Sequence, residues 1–73
     1  MTEGEYRVGV PFNPSGNPKV DEIKRLTAQL LDLLYNHHPL GLKEVDIAME
    51  RYEEAAMWAV KAVTKPPRDG RAP

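Results

Sequence analysis

The segment from Ala55 to Val63 is apolar at eight of its nine positions, with Lys61 as the exception. An α-helix that is apolar on nearly every side has to be covered on nearly every side, because exposed apolar surface is unfavourable in water. A chain of 73 residues has little other material with which to cover such a helix. We therefore expect copies of the chain to cover one another, and any binding site to lie between them.

Cysteine is absent, so disulfide bonds cannot supply the stability that a small core lacks. Below about 80 residues a single core seldom contributes more than ~3–5 kcal/mol, and small domains usually add disulfides, a metal or a partner. The histidines do not have the spacing of a structural zinc site. Self-association is the remaining source of buried area, which predicts one domain that is obligately oligomeric.

The charges of the chain nearly cancel, with ten Lys and Arg against eleven Asp and Glu. This balance argues against a protein that follows DNA or RNA by neutralising many phosphates, although a small anionic ligand needs only a local cluster of cations. Residues 1–6 are polar and acidic, and no apolar run approaches the ~20 residues of a membrane span. We expect a cytosolic protein that binds neither a membrane nor a polymeric nucleic acid.

Turn-forming residues dominate the first 17 positions, where glycine, proline and asparagine are frequent. We expect residues 1–17 to form an extended or turned arm rather than a helix. Asn17 followed by Pro18 is typical of an N-cap with proline at the first helical position, and acidic residues follow in the first turn. A first helix is predicted over about residues 18–36.

Two amphipathic patterns follow the arm and are separated by a short connector. Apolar residues recur at spacings of three and four in both patterns, and two consecutive prolines end the second one, which predicts a helix over about residues 42–65. A short connector makes the two helices antiparallel neighbours. The predicted fold class is all-α, a two-helix hairpin with an extended N-terminal arm, assembled into a homo-oligomer. Residues 66–73 are predicted to be a flexible tail.

Part of the second helix cannot be covered inside the hairpin. One seam of apolar residues faces the first helix, whereas Met57, Trp58 and Val60 point elsewhere and require a second chain. Small alanine side chains nearby allow a neighbouring helix to approach closely. The predicted oligomer interface consists of Tyr52, Ala56, Met57, Trp58 and Val60.

The antiparallel arrangement gathers positive charge at the open end of the hairpin. Facing residues in a hairpin that turns near position 39 have numbers that sum to about 78, which brings the Phe12 region level with Lys61 and Lys65. An aromatic ring beside several cations suits a nucleotide-like anion, because cations bind phosphate and a ring face stacks on a base. The alternative is that the cations only solvate helix surfaces and that Phe12 packs the arm against the core.

The residue patterns of common catalytic sites are missing. The chain has no cysteine nucleophile, and its four Ser and Thr hydroxyls have no neighbouring His and Asp to activate them. His37 and His38 are adjacent in a turn and have no fixed geometry for a metal. Glu53 and Glu54 diverge by about 100° around a helix, so they do not face one site. We expect no enzymatic activity, no cofactor and no metal.

Residues 51–65 resemble a helix of the small phage anti-CBASS proteins that sequester cyclic oligonucleotides. The shared feature is Met57-Trp58 within an alanine-rich stretch that directly follows the paired glutamates Glu53 and Glu54. Phe12-Asn13-Pro14, followed by residues 20–25, is similar to the other half of that family, an aromatic loop leading into a helix with a basic residue. The resemblance covers about residues 6–65, and the family shares its helical hairpin with sponges that act against Thoeris defence.

The resemblance implies a homohexamer that binds cyclic dinucleotides, and in some members cyclic trinucleotides, in pockets between protomers without cleaving them. Removal of the messenger in the host cytoplasm would keep a defence effector inactive. A different class of function remains open, in which the chain is a helical protein-interaction module. Such a module would dock a partner protein through Met57 and Trp58.

The same resemblance implies roles for individual residues. Phe12 would stack on a base, with Tyr6 as the alternative, and either of two neighbouring basic residues would hold a phosphate. Two further cations would serve a C-terminal basic site. The implied ligand-binding residues are Phe12, Asn13, Lys24, Arg25, Thr27, Lys65 and Arg68.

Overall fold

The structure is a computed structural model of the chain and describes residues 1–38 and 41–66. Three helices make up most of these residues: α1 (Glu3–Val8), α2 (Pro18–His37) and α3 (Lys43–Thr64). No strand occurs in the described ranges, so the fold is all-α, as predicted. Within the same ranges, none of the helices has the length and apolar character that crossing a bilayer requires.

Helices α2 and α3 form the antiparallel hairpin. The predicted range of α2, about 18–36, ends one residue before the observed helix. The predicted range of α3, about 42–65, extends one residue beyond the observed helix at each end. Asn17 caps α2, because its Oδ1 accepts a hydrogen bond from the Lys19 N–H (2.9 Å). The Asn17 Nδ2 donates to the carbonyl of Val63 in the last turn of α3 (3.2 Å), where carbonyls have no partner within the helix. One side chain thus joins the two open ends of the hairpin.

A small core lies between the helices. The buried apolar residues are Val20, Ala28, Leu31, Val45, Met49 and Ala56. Leu31 is fully buried and contacts Val45 and Met49. Among the described residues, eleven large apolar side chains are exposed in the single chain, whereas the six buried apolar residues include two alanines. This excess of exposed apolar surface is what the predicted assembly would cover; the oligomeric state stays a prediction.

The prediction of an extended N-terminal arm is wrong, because residues 3–8 form helix α1. Thr2 begins this helix with a capping box: its Oγ1 accepts from the Glu5 N–H (3.1 Å), and the Glu5 carboxylate accepts from the Thr2 N–H (2.7 Å). Gly9, with φ at 65°, ends the helix. The N–H groups of Gly9 and Val10 donate to carbonyls of the last turn, as in a Schellman motif. Local hydrogen bonds therefore define both ends of a helix within a segment rich in turn formers.

Helix α1 packs across the hairpin and contacts both of its helices. A Cβ atom at Gly4 would overlap the Ala28 carbonyl on α2, so glycine permits the close approach of the two helices. The Gly4 N–H donates to the Asp32 carboxylate on α2 (2.7 Å), and Arg7 forms an ion pair with Glu53 on α3 (3.1 Å). The N-terminal segment is thus a structured part of the domain, and it forms one wall of the site described below.

Candidate ligand-binding site

The loop between α1 and α2 presents Phe12 at the surface and is fixed by a buried lysine. Lys24 on α2 is only 9% exposed, and its Nζ donates to the carbonyl oxygens of Gly9 (3.0 Å) and Phe12. The same ammonium lies 5.5 Å from the centroid of the Phe12 ring, within the range of a cation–π interaction. Phe12 itself is 69% exposed, so its ring is accessible to a stacking partner.

Asn13 shapes the second half of this loop. Its Nδ2 donates to the carbonyl of Asn17 (2.9 Å) and to the carboxylate of Asp21 (3.0 Å), while its Oδ1 accepts from the Ser15 hydroxyl (2.7 Å). These hydrogen bonds use both ends of the amide inside the loop. The structure therefore gives Asn13 a role in holding the loop beside Phe12, and contact with a ligand remains a prediction.

A pocket of about 270 Å³ opens between α1 and the hairpin. Apolar side chains supply most of its wall, and the polar groups are two cations and one carboxylate. The lining residues are Arg7, Val8, Lys24, Glu53, Ala56, Met57 and Val60. An apolar wall with cations beside it suits a planar ring that carries a negatively charged group.

Arg7 is a pocket residue that the sequence analysis missed. Its Nε donates to Glu3 (2.8 Å) and its Nη1 to Glu53 (3.1 Å). Burial lowers the pKa of Arg7, but the hydrogen bonds and charges of Glu3 and Glu53 raise it more, so the net pKa lies above the ordinary value. The spacing of Glu3 and Arg7, four residues apart, is a helical ion-pair signal, but it is informative only once α1 is recognised.

The residues predicted to bind ligand are only partly brought together. Phe12 and Lys24 are neighbours, as described above. Arg25 is exposed on α2 and does not line the pocket, and the Thr27 hydroxyl donates to the Ile23 carbonyl of its own helix (2.8 Å). Lys65 is exposed directly after α3. Arg68 and most of the predicted tail, residues 67–73, lie outside the described residues.

The predicted interface divides into exposed and covered residues. Met57 and Trp58 are 67% and 59% exposed, Tyr52 is exposed and Val60 is partly buried. Ala56 is only 6% exposed because its own chain covers it, and its place in the interface stays a prediction. An exposed apolar row on α2, formed by Leu26, Leu30 and Leu33, was not predicted from the sequence.

These features define a small helical hairpin protein in which an exposed aromatic loop lies beside a partly cationic pocket. Residues 4–64 match the family model for the hairpin domain of Acb2/Tad1. The chain therefore belongs to the Acb2/Tad1 hairpin family, the anti-CBASS and anti-Thoeris sponges, which act by binding rather than by catalysis. No curated protein and no solved structure matches the chain significantly.

Proposed function

We propose that this protein binds and sequesters cyclic dinucleotide messengers without cleaving them, and so keeps a host anti-phage defence effector inactive. The proposed ligands extend to cyclic trinucleotides, and the protein would act in the host cytoplasm. The observation that carries the proposal is the family match over residues 4–64, which spans α1, the aromatic loop and both hairpin helices. The exposed Phe12 ring beside the Lys24 ammonium supports it independently.

In this proposal one base of the ligand stacks on Phe12 and a nearby phosphate contacts a cation. An ammonium has three N–H donors, and Lys24 uses two of them on loop carbonyls. We propose that the third donor bonds a phosphate, and the exposed guanidinium of Arg25 is the alternative. Lys65 and Arg68 would form the C-terminal basic site, while Asn13 and Thr27 would adjoin the ligand.

We further propose that the working form is a homohexamer with ligand pockets between protomers, as the resemblance implies. The eleven large apolar side chains that are exposed among the described residues support assembly, because a small core gains stability when copies cover its exposed surface. The proposed contact residues are Tyr52, Met57, Trp58 and Val60. Because Met57 and Val60 also line the pocket, a second protomer there would extend the pocket wall.

A second candidate function is a protein-interaction module. The exposed Met57 and Trp58 favour it, because large apolar side chains on a helix surface commonly anchor partner proteins. Under this alternative the basic residues only solvate the surface. Cyclic nucleotides would then leave the thermal midpoint of the protein unchanged, since a ligand raises the midpoint only if it binds the folded form.

Titration calorimetry with cyclic di-AMP, cyclic di-GMP, cyclic GMP–AMP and cyclic triadenylate tests the proposal, with a linear dinucleotide as the ligand control. We expect saturable heat with a cyclic ligand, and mass spectrometry should recover that ligand intact. Phe12→Ala should weaken binding by ~1–3 kcal/mol, the usual contribution of one aromatic stacking contact. Tyr6→Ala is the paired variant, because Tyr6 is about equally exposed on α1 and is the alternative stacking residue.

Three results would count against the proposal. Absence of binding across the panel would favour the protein-interaction module. Linear product would show that the protein is an enzyme. Loss of binding in Tyr6→Ala but not in Phe12→Ala would move the stacking role to Tyr6.

A further inference from the structure

The pocket beside α1 contains an arginine whose charge is balanced by a carboxylate of the same pocket. We propose that Arg7 contacts a phosphate of the bound ligand and that Glu53 is a built-in competitor, which the phosphate must displace. This inference rests on the proposed binding of cyclic oligonucleotides and goes further, because it names a phosphate-binding residue and the side chain that opposes it.

The two carboxylates that bind Arg7 differ in position. Glu3 lies four residues before Arg7 on α1 and bonds its Nε, so it can orient the guanidinium from within the same helix. Glu53 lies on α3, lines the pocket and bonds Nη1. A guanidinium has five N–H donors in a planar fork that fits a phosphate with two parallel hydrogen bonds. Replacing Glu53 by a phosphate would keep the contact with Glu3 intact.

The charges that line the pocket explain why Glu53 matters for an anionic ligand. Among the described residues, the lining contains two cations, Arg7 and Lys24, and Glu53 is its one carboxylate. The hydrogen bonds of Lys24 go to neutral carbonyl oxygens, so its charge is not cancelled by a carboxylate partner there. An anion that displaces Glu53 therefore lies in a pocket that both cations line.

The Arg7–Glu53 pair is suited to displacement. The side chains of Arg7 and Glu53 are 32% and 29% exposed, so solvent screens their attraction and water can reach both groups. Val8, Met57 and Val60 provide apolar surface beside the pair, against which a nucleobase can pack. The ligand class that fits is a phosphodiester that carries a base.

Glu53→Gln tests the proposal, using calorimetry with the panel ligand that binds the wild type most tightly. We expect Glu53→Gln to bind about two- to fivefold more tightly, as the loss of a competing, partly exposed ion pair implies. Glu54→Gln is the matched control: it removes the same charge one residue away, where Glu54 faces Arg51 at 3.9 Å on the open surface. Its affinity should equal that of the wild type, which separates local competition from a general change in net charge.

Two Arg7 variants complete the design. Arg7→Gln should weaken binding, and Glu53→Gln should give no gain in an Arg7→Gln background, because the competitor acts only through the guanidinium. Arg7→Lys keeps the charge but lacks the planar fork, so it should bind more weakly than the wild type and more tightly than Arg7→Gln.

The possible outcomes distinguish this inference from the proposed function. Wild-type binding with equal affinities for Glu53→Gln and Glu54→Gln overturns the inference alone. The same holds if Glu53→Gln lowers the thermal midpoint without tightening binding, since the ion pair would then only fasten α1 to α3. Absence of binding by both the wild type and Glu53→Gln overturns the inference and the proposed function together.

Discussion

Different kinds of interaction stabilise the α2–α3 hairpin and the N-terminal segment, which consists of helix α1 and its loop. The hairpin is held by apolar side chains at helical spacing, with Leu31 fully buried at its centre. The N-terminal segment, residues 2–17, packs Val8 against this core and is further held by single polar contacts, such as Asp32 to the Gly4 N–H and Lys24 to two loop carbonyls. Apolar packing tolerates many sequences, whereas each of these polar contacts depends on one residue. The proposed ligand contacts of this segment therefore depend on individual polar residues, whereas the stability of the whole domain depends on the hairpin core.

Leu31→Ala should have the largest effect, because it removes a fully buried side chain that both hairpin helices share. We expect a loss of ~3–5 kcal/mol in the free energy of unfolding, measured by chemical denaturation, with α1 lost in the same transition. Leu30→Ala is the matched control, since Leu30 directly precedes Leu31 on α2 and is exposed. If the two variants were equally stable, the core would not lie where the structure places it.

Gly4→Ala should separate the two regions. Its Cβ would lie 2.9 Å from the Cα of Ala28, so α1 would have to move away from α2. We expect a loss of ~1–3 kcal/mol from overpacking, with faster amide exchange confined to α1 and its loop while the hairpin helices keep their protection.

The sign of the change in unfolding free energy tests whether α1 packs closely on α2. In an isolated helix, alanine is more favourable than glycine by ~1 kcal/mol, so a stabilised Gly4→Ala variant would show that α1 does not pack closely on α2. Tyr6→Ala on the exposed side of α1 should leave stability nearly unchanged.

Lys24→Met tests whether the buried ammonium fixes the aromatic loop. The variant keeps the length of the side chain but leaves the carbonyls of Gly9 and Phe12 without their donor. We expect a loss of ~1–3 kcal/mol in unfolding free energy and faster exchange of loop amides. Arg25→Met is the control for stability and loop exchange, because the neighbouring Arg25 is exposed. Equal ligand affinity in Lys24→Met and the wild type would show that neither the ammonium nor the loop geometry contributes to binding.

The hairpin could be predicted from the sequence because its signals are periodic and redundant. Leucines at spacings of three and four, the Asn17-Pro18 start and the prolines after Lys65 all indicate the same two helices. Position 24 is in phase with buried Val20 and Leu31, whereas the leucine row of α2 lies on the opposite side of the helix and is exposed. Periodicity alone therefore did not show which side of α2 is buried, and the hydrogen-bond partners of Lys24 depend on a loop conformation that no periodic pattern encodes.

Helix α1 was missed because its signals are local and compete with those of turns. The capping-box pattern of Thr2 and Glu5 is present, and Gly9 stands at the helix end, but glycine and proline are frequent throughout the segment. A six-residue helix is too short to be stable by itself, so it depends on its contacts with α2 and α3, among them the close approach of Gly4 to Ala28 and the ion pair of Arg7 with Glu53. Arg7 was missed for the same reason, since its place in the pocket follows from α1.

Trp58→Ala should have the smallest effect on the folding of one protomer and tests the outer surface of the hairpin. Trp58 is largely exposed, and its nearest polar interaction is with the Lys61 ammonium, 5.2 Å from the ring. In a dilute monomeric sample we expect a change of less than about 1 kcal/mol in unfolding free energy, as for an exposed cation–π pair. Sedimentation at higher concentration should show a smaller assembly than the wild type if the proposed interface is correct. Arg51→Ala, a substitution at an exposed polar position of α3, is the control. An intact oligomer in Trp58→Ala would place the interface elsewhere, and the leucine row of α2 would then be the next surface to test.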